Sequence, residues 1–346
     1  MSAISKLWDK LPNEMKLKVV GQLDIVGKIQ LGRCSRSDYE IVDICKEPMN
    51  IIRIDLKIKN GFVRWAIVQT NGKMIQVDYT EKDGVCFIRR KRSTKSIPIR
   101  NASALDQSLI DLCKILGGSH VTIEQFRLYI TGDDDNFSAE RAGSYFDVLV
   151  KRFGRLSQKL KIGKINIDYS SFTVYEEDML RGLELLDPSI IYSVVIKGDE
   201  VGTILNTKNV MDCEAWKNSV HLICTPAIRP MEAFWDKTRV STGLVVESLD
   251  FLPRLIKHLR VKPIFEQMVL TLSYFGEDPS GEELMDTLIA MCPESNYDSP
   301  VQHAYLRNYT LKREGYHMRV EISENKVKLF AVKNGEEEEE FVEMQA

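Results

Sequence analysis

The sequence predicts a mixed α/β protein: a small N-terminal three-helix head, then an open, curved repeat-like domain with strands on one face and helices on the other. Three observations predict it. Residues Leu7 to Asp43 carry large aliphatic groups at helical spacing. From Ile51 the apolar period changes to two. From about Asn101 to Ala331, helical stripes and alternating strands take turns. A chain of 346 residues is long enough for two domains.

The head comes first. Pro12 suits a first helical position, where its missing N–H costs nothing. Met15, Val19, Val20 and Leu23 follow at helical spacing, with Lys16 and Lys18 expected on the wetter side. Leu23 and Asp24 end this helix, and Gly21 and Gly27 weaken it locally. Ile25, Ile29 and Leu31 suggest a short second helix. Ser35 can cap a third, with Asp38 complementing its positive end and Tyr39, Ile41 and Val42 as its stripe. A segment this short cannot bury enough apolar surface to fold well alone. It must complete its core against the rest of the chain or against a second protein.

Leu11-Pro12, Glu14, Val19, Leu23-Asp24, Ile29, Leu31 and Cys34-Ser35-Arg36 together resemble the F-box. Lys16-Leu-Lys-Val19 gives it the style of the nematode F-box families. Cys34-Ser35-Arg36 stands where family members have Val-Ser-Lys, and Asp38 holds the place of the usual aromatic. The resemblance implies docking to a Skp-type adaptor, and through it to a cullin–RING scaffold. It implies Leu11, Pro12, Glu14, Met15, Val19, Leu23, Ile29 and Leu31 as the adaptor-binding set, without separating contact residues from those that hold the helices together. The alternative is a plain helical cap packed on the main domain.

Composition agrees with a folded intracellular protein. Hydrophobic residues make up 44% and charged residues 28%. The net charge of −3 gives no general pull toward nucleic acid or membrane, and neither is expected as a partner. No apolar run approaches the ~20 residues that span a bilayer. The seven cysteines include no Cys-x-x-Cys pair and read as reduced thiols in the cytoplasm or nucleus.

Next comes a meander. Ile52, Ile54, Leu56 and Ile58 alternate with polar residues. Asn71-Gly72 and Asp83-Gly84 are hairpin turn signals between the runs that follow. The meander ends in Arg89-Arg-Lys-Arg92 and Lys95, read as a solvated connector, a nuclear-import signal or an anion-binding patch.

The body repeats helix and strand. Leu105, Leu109, Leu112 and Leu116 form a stripe, and Phe126, Leu128 and Ile130 a strand. Phe146, Leu149, Phe153, Leu156 and Leu160 precede Ile165, Ile167 and Tyr169. Met179, Leu183 and Leu186 lead to Tyr192, Val194 and Ile196. Strands follow at Val220–Cys224, Leu244–Val246 and Met268–Leu272, with helices at Leu249–Leu259 and Leu284–Met291. Strand centres recur about 25–40 residues apart, near the range of solenoid repeats. A doubly wound sheet is the competing architecture, and its strands should be continuous apolar runs. Most strands here alternate instead, which favours an open sheet with one wet face. Ile190 to Ile196 is the exception and reads as buried on both sides.

After Pro300 the pattern returns to hairpins, which would cover the last edge of the array. Lys312-Arg-Glu-Gly315, Arg319-Val-Glu-Ile322 and Lys328-Leu-Phe-Ala-Val332 make the body similar to the FTH-type domain that accompanies nematode F-boxes. Glu336 to Glu340 read as a solvated acidic tail. The expected organisation is therefore 1–48, 49–100, 101–333 and 334–346: head, connector, body and tail.

Catalytic motifs do not emerge. The five histidines are not paired at metal-binding spacing, and phosphate-loop and nucleophile-elbow patterns are missing. Asp133-Asp-Asp-Asn136 lacks calcium-loop spacing, and Gly117-Gly118 reads as a helix terminator. No cofactor or metal is expected. Binding of an unidentified protein target is expected on the wet sheet face, at Arg127, Tyr129, Asn166, Asp168, Lys197, His221 and Glu247. With the resemblance, this implies a non-catalytic substrate-recognition subunit of a ubiquitin ligase. The rivals are a plain interaction scaffold and a cytosolic α/β enzyme whose site is dispersed.

Overall fold

The computed structural model describes residues 8, 10–23, 27–28, 31, 34–44, 49–91, 93–117, 121–131, 139–168, 176–198, 204–246, 248–274, 281–292, 296–297, 305–312, 314–323 and 326–334. The chain forms two compact units, Met1–Gly163 with Leu185–Asp187, and Lys164–Glu184 with Pro188–Ala346.

The first unit opens with helices α1 (Asn13–Gln22) and α2 (Arg36–Ile44). Strands β1 (Met49–Lys59), β2 (Phe62–Gln69), β3 (Met74–Lys82), β4 (Val85–Arg90) and β5 (Ser96–Arg100) form an antiparallel meander. Helix α3 (Ala104–Leu116), strand β6 (Val121–Ile130) and helix α4 (Ala139–Phe153) follow. β6 pairs in parallel with β1, from Met49↔Val121 to Ile58↔Ile130. The meander therefore shares a sheet with the first strand of the body, and the compact unit does not end at the connector expected near residue 100. β1 and β5 are the two edges of the meander; β6 takes the β1 edge, and β5 pairs with β4.

The core of this unit lies between the sheet and α3, which packs against β2, β3 and β4. Ile54, Leu56, Ile58, Val63, Trp65, Ile67, Val77 and Tyr79 are buried on that side, as are Leu105, Leu109, Leu112 and Leu116 of α3. Ser103 caps α3 by accepting from the Asp106 amide at 3.1 Å. Both hairpin turns are as expected: Gly72 has φ +75°, and Asp83 and Gly84 have φ +52° and +71°. One strand residue is displaced. Ile52 was expected in the core with Ile54, but it is exposed and Ile51 is buried instead. A register shift between Ile51 and Arg53 against β2 inserts one residue, which reverses the alternation at that point.

The second unit begins within β7 (Ile162–Asp168), at Lys164, and continues through α5 (Glu176–Glu184), β8 (Ser193–Lys197), β9 (Ile204–Asn206), α6 (Glu214–Asn218), β10 (His221–Arg229), β11 (Arg239–Val246), α7 (Phe251–Val261) and β12 (Gln267–Tyr274). Helix α8 (Gly281–Met291) precedes β13 (Asn296–Tyr297), β14 (Tyr305–Thr310), β15 (Tyr316–Ser323) and β16 (Lys326–Lys333). β7, β8, β10, β11 and β12 are parallel and lie side by side in chain order. β9 pairs with β10 beyond the end of β8. Crossovers that are right-handed and always step the same way keep their helices on one face. A doubly wound sheet needs a reversal of direction, and none occurs between β7 and β12. β16 then adds to β12 antiparallel, and β15, β14 and β13 extend the sheet as a meander. The fold is thus mixed α/β, with open sheet paths.

Pro226 sits inside central strand β10, where its missing N–H would break a ladder bond. The strand accommodates it with a register shift between Cys224 and Ala227 against β11. The shift brings Ala227 so close that a Cβ on Gly243 would lie 3.0 Å from the Ala227 Cα. Expectations for β8 are met in part. Ser193 to Ile196 are all buried, but Ile190 and Tyr192 precede the strand and are 38% and 41% exposed. Val220 likewise precedes β10 and Met291 lies at the end of α8, and both are exposed. Among the described residues, no helix is long and apolar enough to cross a membrane.

Candidate functional site

Two surfaces offer binding chemistry, and the first is the head. Pro12 does not enter the helix as its first residue. It stands just before it, with an extended ψ of 148°, and its carbonyl accepts from the Met15 and Lys16 amides at 3.0 Å each. α1 packs on α2 through Val20 and Ile41, which are 0% and 5% exposed. Lys16 departs from expectation. It was placed on the wetter side, yet it is 8% exposed, and its ammonium lies 5.7 Å from the Trp8 ring centre. A cation over an indole retains a partner that simple hydropathy does not count.

The same indole binds α2. Trp8 Nε1 donates to Asp38 Oδ1 at 2.6 Å. Asp38 also completes the α2 cap: its amide donates to Ser35 Oγ at 3.0 Å, and the Ser35 hydroxyl donates to its Oδ2 at 2.8 Å. Asp38, expected to complement the helix end and standing where the resemblance has an aromatic, is therefore a buried link between segments.

Two large aliphatic groups remain outside among the polar residues of α1. Met15 and Val19 are 48% and 43% exposed, one turn apart on α1. Leu11, Leu23 and Leu31 are half-buried, Pro12 and Glu14 are exposed, and Ile29 lies outside the described residues. The expected adaptor set thus divides into three half-buried leucines and four exposed residues, of which Met15 and Val19 are the large aliphatic ones. Val20, Ile41, Lys16 and Asp38 hold the helices together.

The second surface is the sheet face away from the helices. In the first unit, Arg127 and Tyr129 on β6 lie opposite Asp55 and Lys57 on β1. Lys57 Nζ stands 5.0 Å over the Tyr129 ring. Arg64 reaches Asp78 with two hydrogen bonds, of 2.7 and 3.1 Å, and Arg89 lies 3.5 Å from the same carboxylate. Burial pushes the Asp78 carboxyl up, but hydrogen bonds from Arg64, Gln76 and Arg89 outweigh it and hold it below the usual range. Arg89, expected in a connector, is thus part of a sheet face.

In the second unit, Asp168 and Lys197 are register partners on β7 and β8. Asn166 is half-buried and its Oδ1 has no hydrogen-bond partner. His221 meets the Tyr192 ring edge to face at 6.0 Å. Burial, then Arg239 and Lys164, hold its imidazole below its ordinary value. Glu247 lies outside the described residues.

Sequence reasoning missed a buried cationic pair. Lys237 is 2% exposed and donates to the Trp216 carbonyl, to the Ser219 carbonyl at 2.8 Å and to Ser219 Oγ at 3.1 Å. Burial lowers its ammonium to about 7. Lys262 donates to the Trp235 and Lys237 carbonyls at 2.9 and 2.7 Å and is lowered to about 8, again by burial. No sequence signal marks either lysine, because their acceptors are main-chain carbonyls. Main-chain carbonyls hold both ammonium groups, and Lys237 also contacts the Ser219 hydroxyl. Among the described residues no group of His, Cys, Asp and Glu could hold a metal ion, and Cys34, Cys86, Cys113, Cys213, Cys224 and Cys292 are in no disulfide, with Cys45 outside the described residues. The Asp133–Asn136 loop also lies outside the described residues. No family model and no curated protein matches this chain.

Proposed function

We propose that the chain is a substrate-recognition subunit of a Skp–cullin–F-box ubiquitin ligase, working in the cytoplasm or nucleus. The observation that carries this is the outer side of α1. Met15 and Val19 stay in water while Val20 of α1 and Ile41 of α2 are sealed. A head that served only as a cap would bury its largest aliphatic groups. Each such side chain, once covered by a partner, contributes roughly 1.5–3 kcal/mol, so a few anchors suffice for docking. The Leu11-Pro12 start and the Ser35 cap add the sequence resemblance to the F-box. Helical residues Gly27, Lys28 and Leu31 lie between α1 and α2, where the resemblance asks for a middle helix.

The role is positional. The head would hold the adaptor, and the sheet faces would hold a protein target near the ubiquitin-charged enzyme. The chain itself would supply no chemistry. The experiment is co-purification with a Skp-type adaptor. The intact chain is expected to capture it, and the Leu11→Ala plus Pro12→Ala variant to lose capture. A folded intact chain that fails to bind removes the proposal. Equal capture by both versions removes the assignment of these two residues.

A further inference from the structure

We propose that the outer sheet face of the first unit is a docking surface for an acidic protein segment. This deepens the ligase reading by naming the chemistry of the target, and it rests on that reading only for its biological role. One register row crosses the sheet: Tyr129, Lys57, Arg64, Asp78 and Arg89. Lys57 and Arg64 are direct cross-strand neighbours. Like charges in that position are destabilising unless something offsets them.

The carboxylates present do not offset the cations. Asp78 is shared between Arg64 and Arg89, at 2.7 and 3.5 Å. Asp55 is shared between Arg53 and Arg127, at 3.1 and 4.0 Å. Each cluster sets two guanidiniums against one carboxylate and keeps a net positive charge, to which Lys57 adds. The 4.0 Å separation is too long for a hydrogen bond, and Arg127 Nε has no hydrogen-bond partner. Lys57 is exposed, and the Arg89 side chain is 61% exposed, so both can reach an incoming anion. α3 covers the opposite face of these strands.

Charge complementarity selects an anionic partner, and the rings select which kind. Lys57 lies over Tyr129, and the Arg64 guanidinium lies 5.3 Å over Phe62. Those ring faces are already taken by cations, so they do not offer the open platforms on which single-stranded bases stack. Carboxylates need only the outward N–H donors, in the bidentate geometry that guanidinium provides.

The test measures fluorescence anisotropy of a labelled oligoglutamate peptide with the full chain, at low and raised salt. Saturable binding that weakens with salt is expected. Lys57→Glu with Arg89→Glu should weaken it by at least about tenfold, equivalent to about 1.4 kcal/mol. Lys257→Glu with Lys312→Glu, two exposed bases of the second unit, should leave it unchanged. Circular dichroism and adaptor capture on the same variants confirm a folded chain and keep the two proposals separate. Absence of peptide binding by the intact chain, or equal binding by both double variants, overturns the inference. Tighter binding of oligothymidine than of the peptide, lost in the same reversal, overturns it in favour of nucleic acid. Lost adaptor capture with retained peptide binding would count against the ligase reading alone.

Discussion

The indole of Trp8 donates to the carboxylate of Asp38 at 2.6 Å, so a residue before α1 is tied to the first turn of α2. Lys16 closes the arrangement by laying its ammonium over the same ring. Loss of the carboxylate strips a partner from an indole N–H and from the α2 cap together. Asp38→Ala is expected to cost about 1–3 kcal/mol in the head. Native-state hydrogen exchange checks it: amides of α1 and α2 should exchange faster, while those of β2 and β3 stay protected.

Exposure separates two kinds of aliphatic residue on α1. Met15→Ser with Val19→Ser should abolish adaptor capture and leave the urea midpoint within about 0.5 kcal/mol of the parent. Val20→Ala, at a fully buried position, should cost about 2 kcal/mol. A pull-down paired with urea denaturation reads both. An adaptor still captured by the serine pair would place the docking surface elsewhere.

The buried lysine pair gives the second unit a pH dependence of known sign. The folded-state value of Lys237, about 7, lies below its unfolded value of 10.5. Between these values the unfolded chain binds more protons, so stability rises with pH across that window. Below about 7 the ammonium is charged in both states and the slope vanishes. Lys262, lowered to about 8, adds the same sign over a narrower range. Urea midpoints recorded from about pH 6 to 10 should climb for the parent, and less steeply for Lys237→Met.

The contact between β10 and β11 predicts intolerance of a side chain at Gly243. A Cβ there would stand 3.0 Å from the Ala227 Cα and 3.2 Å from its Cβ. Gly243→Val should destabilise by about 1–3 kcal/mol, the usual cost of overpacking. Adding Ala227→Gly should restore part of that loss, as seen in thermal midpoints, because backbone and side chain then share the space.

Much of the fold was legible from period alone. Leu105 to Leu116, Phe146 to Phe153 and Met179 to Leu183 occupy buried helix positions as their spacing implied. Asn71-Gly72 and Asp83-Gly84 turn where a positive φ demands it. The departures share a cause. Ile52 and Ile51 exchanged faces because β1 shifts register against β2, and Lys16 entered the head because Trp8 met it there. Each depends on a partner distant in the chain, which local periodicity does not contain. The candidate surfaces were legible by residue type. Which of Leu11, Met15, Val19 and Leu23 faces water was not.

Taken alone, the order of residues determined which stretches become helix or strand, most of their apolar positions and the turns at Asn71-Gly72 and Asp83-Gly84, because those follow from local geometry and side-chain volume. Three-dimensional packing decided the rest. It put β6 beside β1, set four guanidiniums around Asp55 and Asp78 on one face, and left Met15 and Val19 uncovered. Pairing between strands and shielding from water are properties of neighbours in space, so they exist only once the chain has folded.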